Sequence, residues 1–384
     1  MTAASPSTRR TSAKLDNLTL SRKEGWREFV NAPRRTRPDA LSKSAIRRLS
    51  PAAADIYAQR RADWHNNLGP FRTAQLAAVH DSLWDLLDAS TQDGNHAKNA
   101  IALDGYPGLG KTLAVESFAA EFHAREIRRH GEFTEAGDER WPVCRIGMRG
   151  NTSMKDFNVA LCDFYAHPVK RRGTTEQLGQ QALDDVLSCG TRLIIIDDLH
   201  FLHWQKNSGI EISNHFKYIA NEFPVTLLSI GIGLSERGVL MEDLCSTIDN
   251  ADYQDLVLQQ TTRRTVMLEM HPFGLASVDE RRQWRTLLTT IEERLVLGAK
   301  RPGMLADELS EYLYARSTGH IGSLMELIRI GCVRAIRTGT EALDKKLFDS
   351  FKIDSAAERA RAELAAAFRT RRLSARTPRH SRSA

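Results

Sequence analysis

Two kinds of apolar pattern alternate along the middle of the chain, and then one of them stops. Short continuous runs occur at Ile101-Ala102-Leu103-Asp104, Val143-Cys144-Arg145-Ile146-Gly147-Met148, Leu193-Ile194-Ile195-Ile196-Asp197, Val225-Thr226-Leu227-Leu228-Ser229-Ile230 and Thr265-Val266-Met267-Leu268-Glu269-Met270. Runs of this length and β-branched content predict strands buried on both faces of a parallel sheet. Between them the apolar residues recur at helical spacing, as in Leu76, Val79, Leu83, Leu86 and Leu87 of a predicted helix over 73–87. Further helices are predicted over 113–122, 154–165, 175–187 and 211–223, the second opened by a turn at 149–153 and the third capped by Thr175. Ser50 followed by Pro51 predicts a helix start there, running to Arg61. Beyond Pro272 only the helical pattern remains, over 278–295, 305–314, 321–338 and 343–351. Strands alternating with helices, followed by helices alone, predict a three-layer α/β domain with a parallel sheet and an appended α-helical domain.

Charge divides the chain differently. The net charge is +6, but residues 1–70 carry +8 and residues 359–384 carry +7, which leaves −9 for 71–358. An acidic core between basic arms points to contact with nucleic acid. Residues 1–50, with the cluster Pro33-Arg34-Arg35-Thr36-Arg37-Pro38, predict a largely unstructured segment. The domain reading is therefore a basic arm with short helices over 1–70, the α/β domain over 71–270, the helical domain over 271–350, and a basic helix and tail over 351–384. Five scattered cysteines with no C-x-x-C pair argue against a disulfide framework or a zinc site and fit a reducing cytoplasm. No apolar run reaches bilayer-spanning length, and no secretory signal is read.

The chemistry lies at the ends of two predicted strands. After the first comes Gly105-Tyr106-Pro107-Gly108-Leu109-Gly110-Lys111-Thr112, which fits the phosphate-binding pattern G-x-x-x-x-G-K-[ST] and runs straight into a helix at Leu113. Glycines let successive N–H groups point at phosphates, the helix N-terminus adds positive charge, Lys111 adds a cation, and the Thr112 hydroxyl suits Mg²⁺. Some eighty residues on, the run 193–196 ends in Asp197 and Asp198. The carboxyl end of a parallel strand is where ligands bind in open α/β sheets. Asp197 is the candidate Mg²⁺ partner, through water, and Asp198 the candidate for positioning or deprotonating an attacking water.

These motifs, with the 143–151 strand and turn, the segment 271–297 and the run STGHIGSLMELIRIGCVRAIRTGTEAL at 317–343, resemble the AAA+ ATPases, and more closely those of the TniB/TnsC type. The resemblance covers residues 70–350. It implies ATP and Mg²⁺ as cofactors, bound by Gly105, Pro107, Gly108, Gly110, Lys111, Thr112 and Leu113, with Thr112 and Asp197 on the metal. It implies a cytoplasmic homo-oligomer, ring or filament, that assembles on double-stranded DNA and recruits a transposase or target-selection adaptor, with no membrane involvement. Either Arg263 or Arg264 is then the cation supplied to a neighbour's γ-phosphate. Lys155 and the loop Lys170, Arg171 and Arg172 are then on the face turned toward a central duplex, making phosphate contacts.

Three departures from the resembled pattern predict slow hydrolysis. Asp198 stands where the family usually carries Glu, apolar Ile232 falls at the expected polar sensor with Ser229 as the nearest substitute, and 319–323 lacks an arginine, with His320 read as structural. A nucleotide-gated scaffold with little turnover is therefore carried alongside the ATPase, as is a helicase-loader or defence ATPase with the same core. A small-molecule kinase fits the helical region after 271 poorly, and a purely structural DNA-binding protein leaves the phosphate loop unexplained.

Overall fold

The structure, a computed structural model, describes residues 19–90, 98, 100–150, 152–166, 173–199, 218–219, 222–234 and 265–376. The chain divides into two compact units, one of 1–34, 80–105 and 111–269, the other of 35–79, 106–110 and 270–384.

The first unit is built on a five-stranded sheet. Its strands are β1 (Ala100–Gly105), β2 (Val143–Gly147), β3 (Leu193–Asp197), β4 (Thr226–Ile230) and β5 (Thr265–Met270, its last residue in the second unit), in the order β2-β3-β4-β1-β5. The pairings β2 with β3, β3 with β4 and β4 with β1 are all parallel. Every residue of β3 and β4 is buried, as continuous apolar runs require. Leu193 pairs with Val143 and Thr226, which aligns the carboxyl ends of the three strands. The helices α5 (Lys111–His130), α6 (Met154–Phe164) and α7 (Thr175–Ser188) bury Phe118, Phe122, Phe157, Leu161 and Val186. Ser153 and Asp156 form a capping box at the start of α6. At α7 the cap is Thr174 rather than Thr175, with Gln177 completing the box.

Of residues 1–50, the described part from 19 on holds more structure than its composition predicts. A helix α1 (Lys23–Val30) buries Trp26 completely, and the Trp26 indole N–H donates to His123 Nδ1 at 3.3 Å. Arg27 pairs with Glu139 and lies over the Trp141 ring. The short α2 (Lys43–Arg47) follows.

In the second unit α3 (Pro51–Asn66) starts as predicted, with Ser50 Oγ accepting from Ala53 N–H, and runs five residues past Arg61. Arg61 is buried and makes a double hydrogen bond to Glu341, at 2.6 and 3.1 Å. The helix α4 (Ala74–Ala89) begins after Thr73, whose hydroxyl caps Leu76 N–H. The C-terminal helices are α8 (Val278–Arg294), α9 (Ser310–Ser317), α10 (Ile321–Thr338), α11 (Lys345–Asp349) and α12 (Ser355–Arg369). Their core gathers Phe71, Trp284, Leu288, Ile291, Leu313, Leu324, Ile328 and Phe348. The helix predicted over 305–314 is two pieces. A π-helical turn covers Met304–Glu308 and α9 follows it, because buried Glu292 accepts from Gly303 and Leu305 N–H groups, each at 2.7 Å, and fixes the turn's entry.

Candidate nucleotide site

The strand β1 is apolar until Asp104, whose carboxylate accepts from Gly105 N–H at 2.7 Å. The chain then turns through the phosphate-loop motif. Gly108 and Gly110 have φ of +77° and +83°, a region that any residue with a Cβ adopts at a cost. A Cβ at Gly108 would meet nothing within 4 Å among the described residues. Pro107 is exposed, and Leu113 is 48% exposed at the head of α5.

Lys111 opens α5, only 8% exposed, and its amine donates to Gly105 carbonyl at 2.5 Å, back across the loop. Burial pushes its pKa down, against the opposing pull of Asp104, Asp197 and Asp198. One residue on, Thr112 Oγ1 donates to Asp197 Oδ1 at 3.3 Å. The strand β3 therefore delivers Asp197 to the first turn of α5, as the two motifs together predict. Burial raises the Asp197 pKa, and the Arg145 guanidinium opposes this. Asp198 is exposed and has φ of +59°, a conformation that aspartate visits more readily than most residues. Its N–H donates to Asp197 Oδ1 at 3.1 Å.

A hydroxyl and a carboxylate brought together at the first turn of α5 form a hard-oxygen donor pair. That set fits Mg²⁺, which binds through one or two carboxylate or hydroxyl oxygens together with nucleotide phosphates and water. Thr112 and Asp197 are the residues that could hold it.

Two site residues escape the motif reading. Arg145, the one charged residue of β2, donates from Nη2 to Asp197 Oδ2 at 2.7 Å. Glu116, one turn after Thr112 on α5, lies 3.2 Å from the same nitrogen. The available signal is a cation inside an otherwise apolar strand run.

Of the residues predicted to meet DNA, Lys155 lies on the first turn of α6, half-buried. It lines a cleft of about 490 Å³ with Ser21, Arg22, Arg149 and Thr152. Lys170, Arg171, Arg172, Arg263 and Arg264 lie outside the described residues. Ser229 is buried in β4, in register with Ala102 and Ile196, and Ile232 lies past the strand end. His320 Nδ1 sits 2.9 Å from Thr318 Oγ1 just ahead of α10. Within the second unit, Gly322 N–H donates to Gly108 carbonyl at 2.8 Å.

A parallel sheet in this strand order, with a phosphate loop after β1 and an acidic pair after β3, defines the AAA+ class of P-loop NTPases. The family model described as "Bacterial TniB protein" matches residues 61–243, a stretch that holds both motifs. The resemblance read from the sequence is thus borne out over residues 61–243, which match the TniB family. Among solved structures, the ORC2 protein of Aeropyrum pernix in its ADPNP-ADP complexes is 12% identical with a TM-score of 0.51, covering 79% of this chain and 71% of that one. The ORC1 protein of the same organism in complex with DNA is 17% identical with a TM-score of 0.46, over 79% and 67% of the two chains. Domain III of the replication initiation protein DnaA from Thermotoga maritima is 14% identical with a TM-score of 0.42, over 74% and 94%. At these identities the first likeness speaks for the fold. A search of curated proteins gives no match.

Proposed function

We propose that this protein binds ATP with Mg²⁺, hydrolyses it slowly, assembles as a homo-oligomer on double-stranded DNA, and regulates transposition by recruiting or activating a transposase, directly or through a target-selection adaptor. The observation that carries the reading is the meeting of Lys111, Thr112 and Asp197 at the ends of β1 and β3, inside the stretch that matches the TniB family.

In this reading the loop N–H groups cradle the phosphates, and Lys111 exchanges Gly105 carbonyl for phosphate oxygen. Thr112 and Asp197 hold Mg²⁺, which when bound neutralises phosphate charge. Exposed Asp198 orients a water and takes its proton. Arg263 or Arg264 of a neighbouring subunit supplies the remaining cation. Lys155, Lys170, Arg171 and Arg172 make sequence-tolerant phosphate contacts, with the basic arms adding to them. The place of action is the cytoplasm; among the described residues no helix is long and apolar enough to cross a membrane.

The test is double-stranded DNA binding at one stated salt concentration with ATP, ADP or no nucleotide, with Lys111→Ala alongside. Tight binding that needs ATP and is lost in the variant is the expected result. Binding indifferent to nucleotide assigns DNA contact to the arms alone and overturns the nucleotide-driven assembly. No binding at all favours a protein-remodelling or loader role.

A second reading, a nucleotide-gated scaffold with little turnover, is favoured by Asp198 standing where the resembled family carries the longer glutamate. One methylene less withdraws the carboxylate by over about an ångström, and catalysis responds steeply to such displacements. Steady-state turnover above about one per second would overturn both slow hydrolysis and the scaffold.

A further inference from the structure

We infer that Arg145 is a positioning residue for Asp197, turning one oxygen of that carboxylate toward the metal side of the site by holding the other. The inference rests on the reading of this site as one for Mg²⁺ and ATP.

The geometry divides the two oxygens of Asp197 cleanly. Oδ1 takes the Thr112 hydroxyl at 3.3 Å and Asp198 N–H at 3.1 Å. Oδ2 takes Arg145 Nη2 at 2.7 Å. Both side-chain dihedrals of Asp197 are fixed by this arrangement, and only Oδ1 faces the threonine expected on the metal.

Arg145 reaches this position because of its register. In β2 it pairs with Ile195, while Gly147 pairs with Asp197. Arg145 and Gly147 project on the same face, two residues apart. The guanidinium runs past Gly147 toward Asp197, with Nη1 at van der Waals distance, 3.7 Å, from where a Cβ on Gly147 would stand.

The guanidinium is itself held from two further directions. Glu116 Oε1 lies 3.2 Å from Nη2, and Nη1 donates to Ser21 Oγ at 3.1 Å. Glu116 and Thr112 share a face of α5 at i, i+4 spacing, so one helix turn supplies both the hydroxyl and the carboxylate that steadies the arginine. The side chains of Arg145, Glu116 and Asp197 are 16%, 15% and 8% exposed. In such a partly buried cluster, removing the arginine leaves two carboxylates without its guanidinium and Asp197 held through Oδ1 alone.

A purely structural ion pair makes a different prediction. Its loss lowers the melting temperature and leaves the metal response alone. A ligand-orienting partner, in contrast, typically changes metal affinity by about 10–100-fold when it is removed.

The experiment measures the Mg²⁺ concentration that half-saturates binding of a fluorescent ATP analogue to the full chain, for wild type, Arg145→Gln and Arg145→Lys, each referred to its own binding in EDTA. The midpoint should rise on the order of tenfold in Arg145→Gln. It should rise by less in Arg145→Lys, which keeps the charge without the planar fork. If Arg145→Gln does not fold, the Arg145→Lys midpoint decides alone. A midpoint equal to wild type overturns the inference. A lower midpoint also overturns it, since that is the signature of a cation that merely repels Mg²⁺. A wild type that binds the analogue equally with and without Mg²⁺ fails at the earlier step, overturning the Mg²⁺-ATP reading of the site and the inference with it.

Discussion

Asp198 is the residue whose chemistry and backbone are most at odds. It is exposed at the mouth of the site and sits at φ of +59°, directly after the buried metal candidate Asp197. If it takes the proton of the attacking water, Asp198→Asn should reduce ATP turnover by about 10²–10⁴-fold, the usual contribution of a positioned base. Nucleotide affinity should hold, and a filter-binding or fluorescence titration beside a phosphate-release assay checks both. Equal turnover in the variant would remove Asp198 from the chemistry. Lys111, Thr112, Asp197 and Asp198 were legible in the sequence because phosphate and metal chemistry dictates both residue type and spacing there. Arg145 and Glu116 were not legible. They converge on Asp197 from two other elements, and only the register of β2 on β3 brings them together.

At the scale of elements, local chemistry carried most of the sequence reading. The continuous runs became β3 and β4, the Ser50-Pro51 start became α3, and the strand over 265–270 and the helix over 321–338 stand as read. Failures fall where a distant residue sets a boundary. No local signal marks α1, which owes its place to Trp26 burying against His123. The π-helical turn at Met304–Glu308 owes its start to Glu292, which projects from α8. Glu292→Ala should therefore cost about 3 kcal/mol, since one buried and one part-buried N–H group lose a carboxylate acceptor at once. Chemical denaturation of wild type and variant measures it; a loss below about 1 kcal/mol would mean that other groups or water satisfy the turn.

For the whole molecule, each of the two units contains a histidine held neutral. Burial pushes both His123 and His65 down to about 4 from 6.5; at His65 a hydrogen bond with the Arg61 backbone opposes this, and the charges of Arg61 and Arg37 add to it. Each ring accepts an N–H, from Trp26 at 3.3 Å and from Val296 at 3.0 Å, which an imidazolium nitrogen cannot do. The unfolded chain binds these protons near 6.5 and the folded one near 4, so their stabilisation is complete above pH 6.5 and drains away as pH falls toward 4. The amount is on the order of 3 kcal/mol for each ring. Melting temperature followed from pH 7 to 4 should fall more steeply for wild type than for His65→Gln/His123→Gln, whose amides keep an acceptor at both places. Parallel curves would assign the acid response to carboxylates. Charge layout was legible as composition, but its use was not. Arg37, one cation of the N-terminal cluster, donates to the Glu293 and Leu295 carbonyls, so part of that basic segment is fastened to backbone.

The arginine inside β2 also has a historical consequence. A guanidinium between Asp197 and Glu116 makes each acid tolerable only in its presence, since loss of Arg145 alone strands two partly buried carboxylates beside each other. Positions 116 and 145 should therefore change as a pair along any lineage of this protein, with Asp197 constant. A relative carrying an apolar residue at 145 should carry no acid at 116.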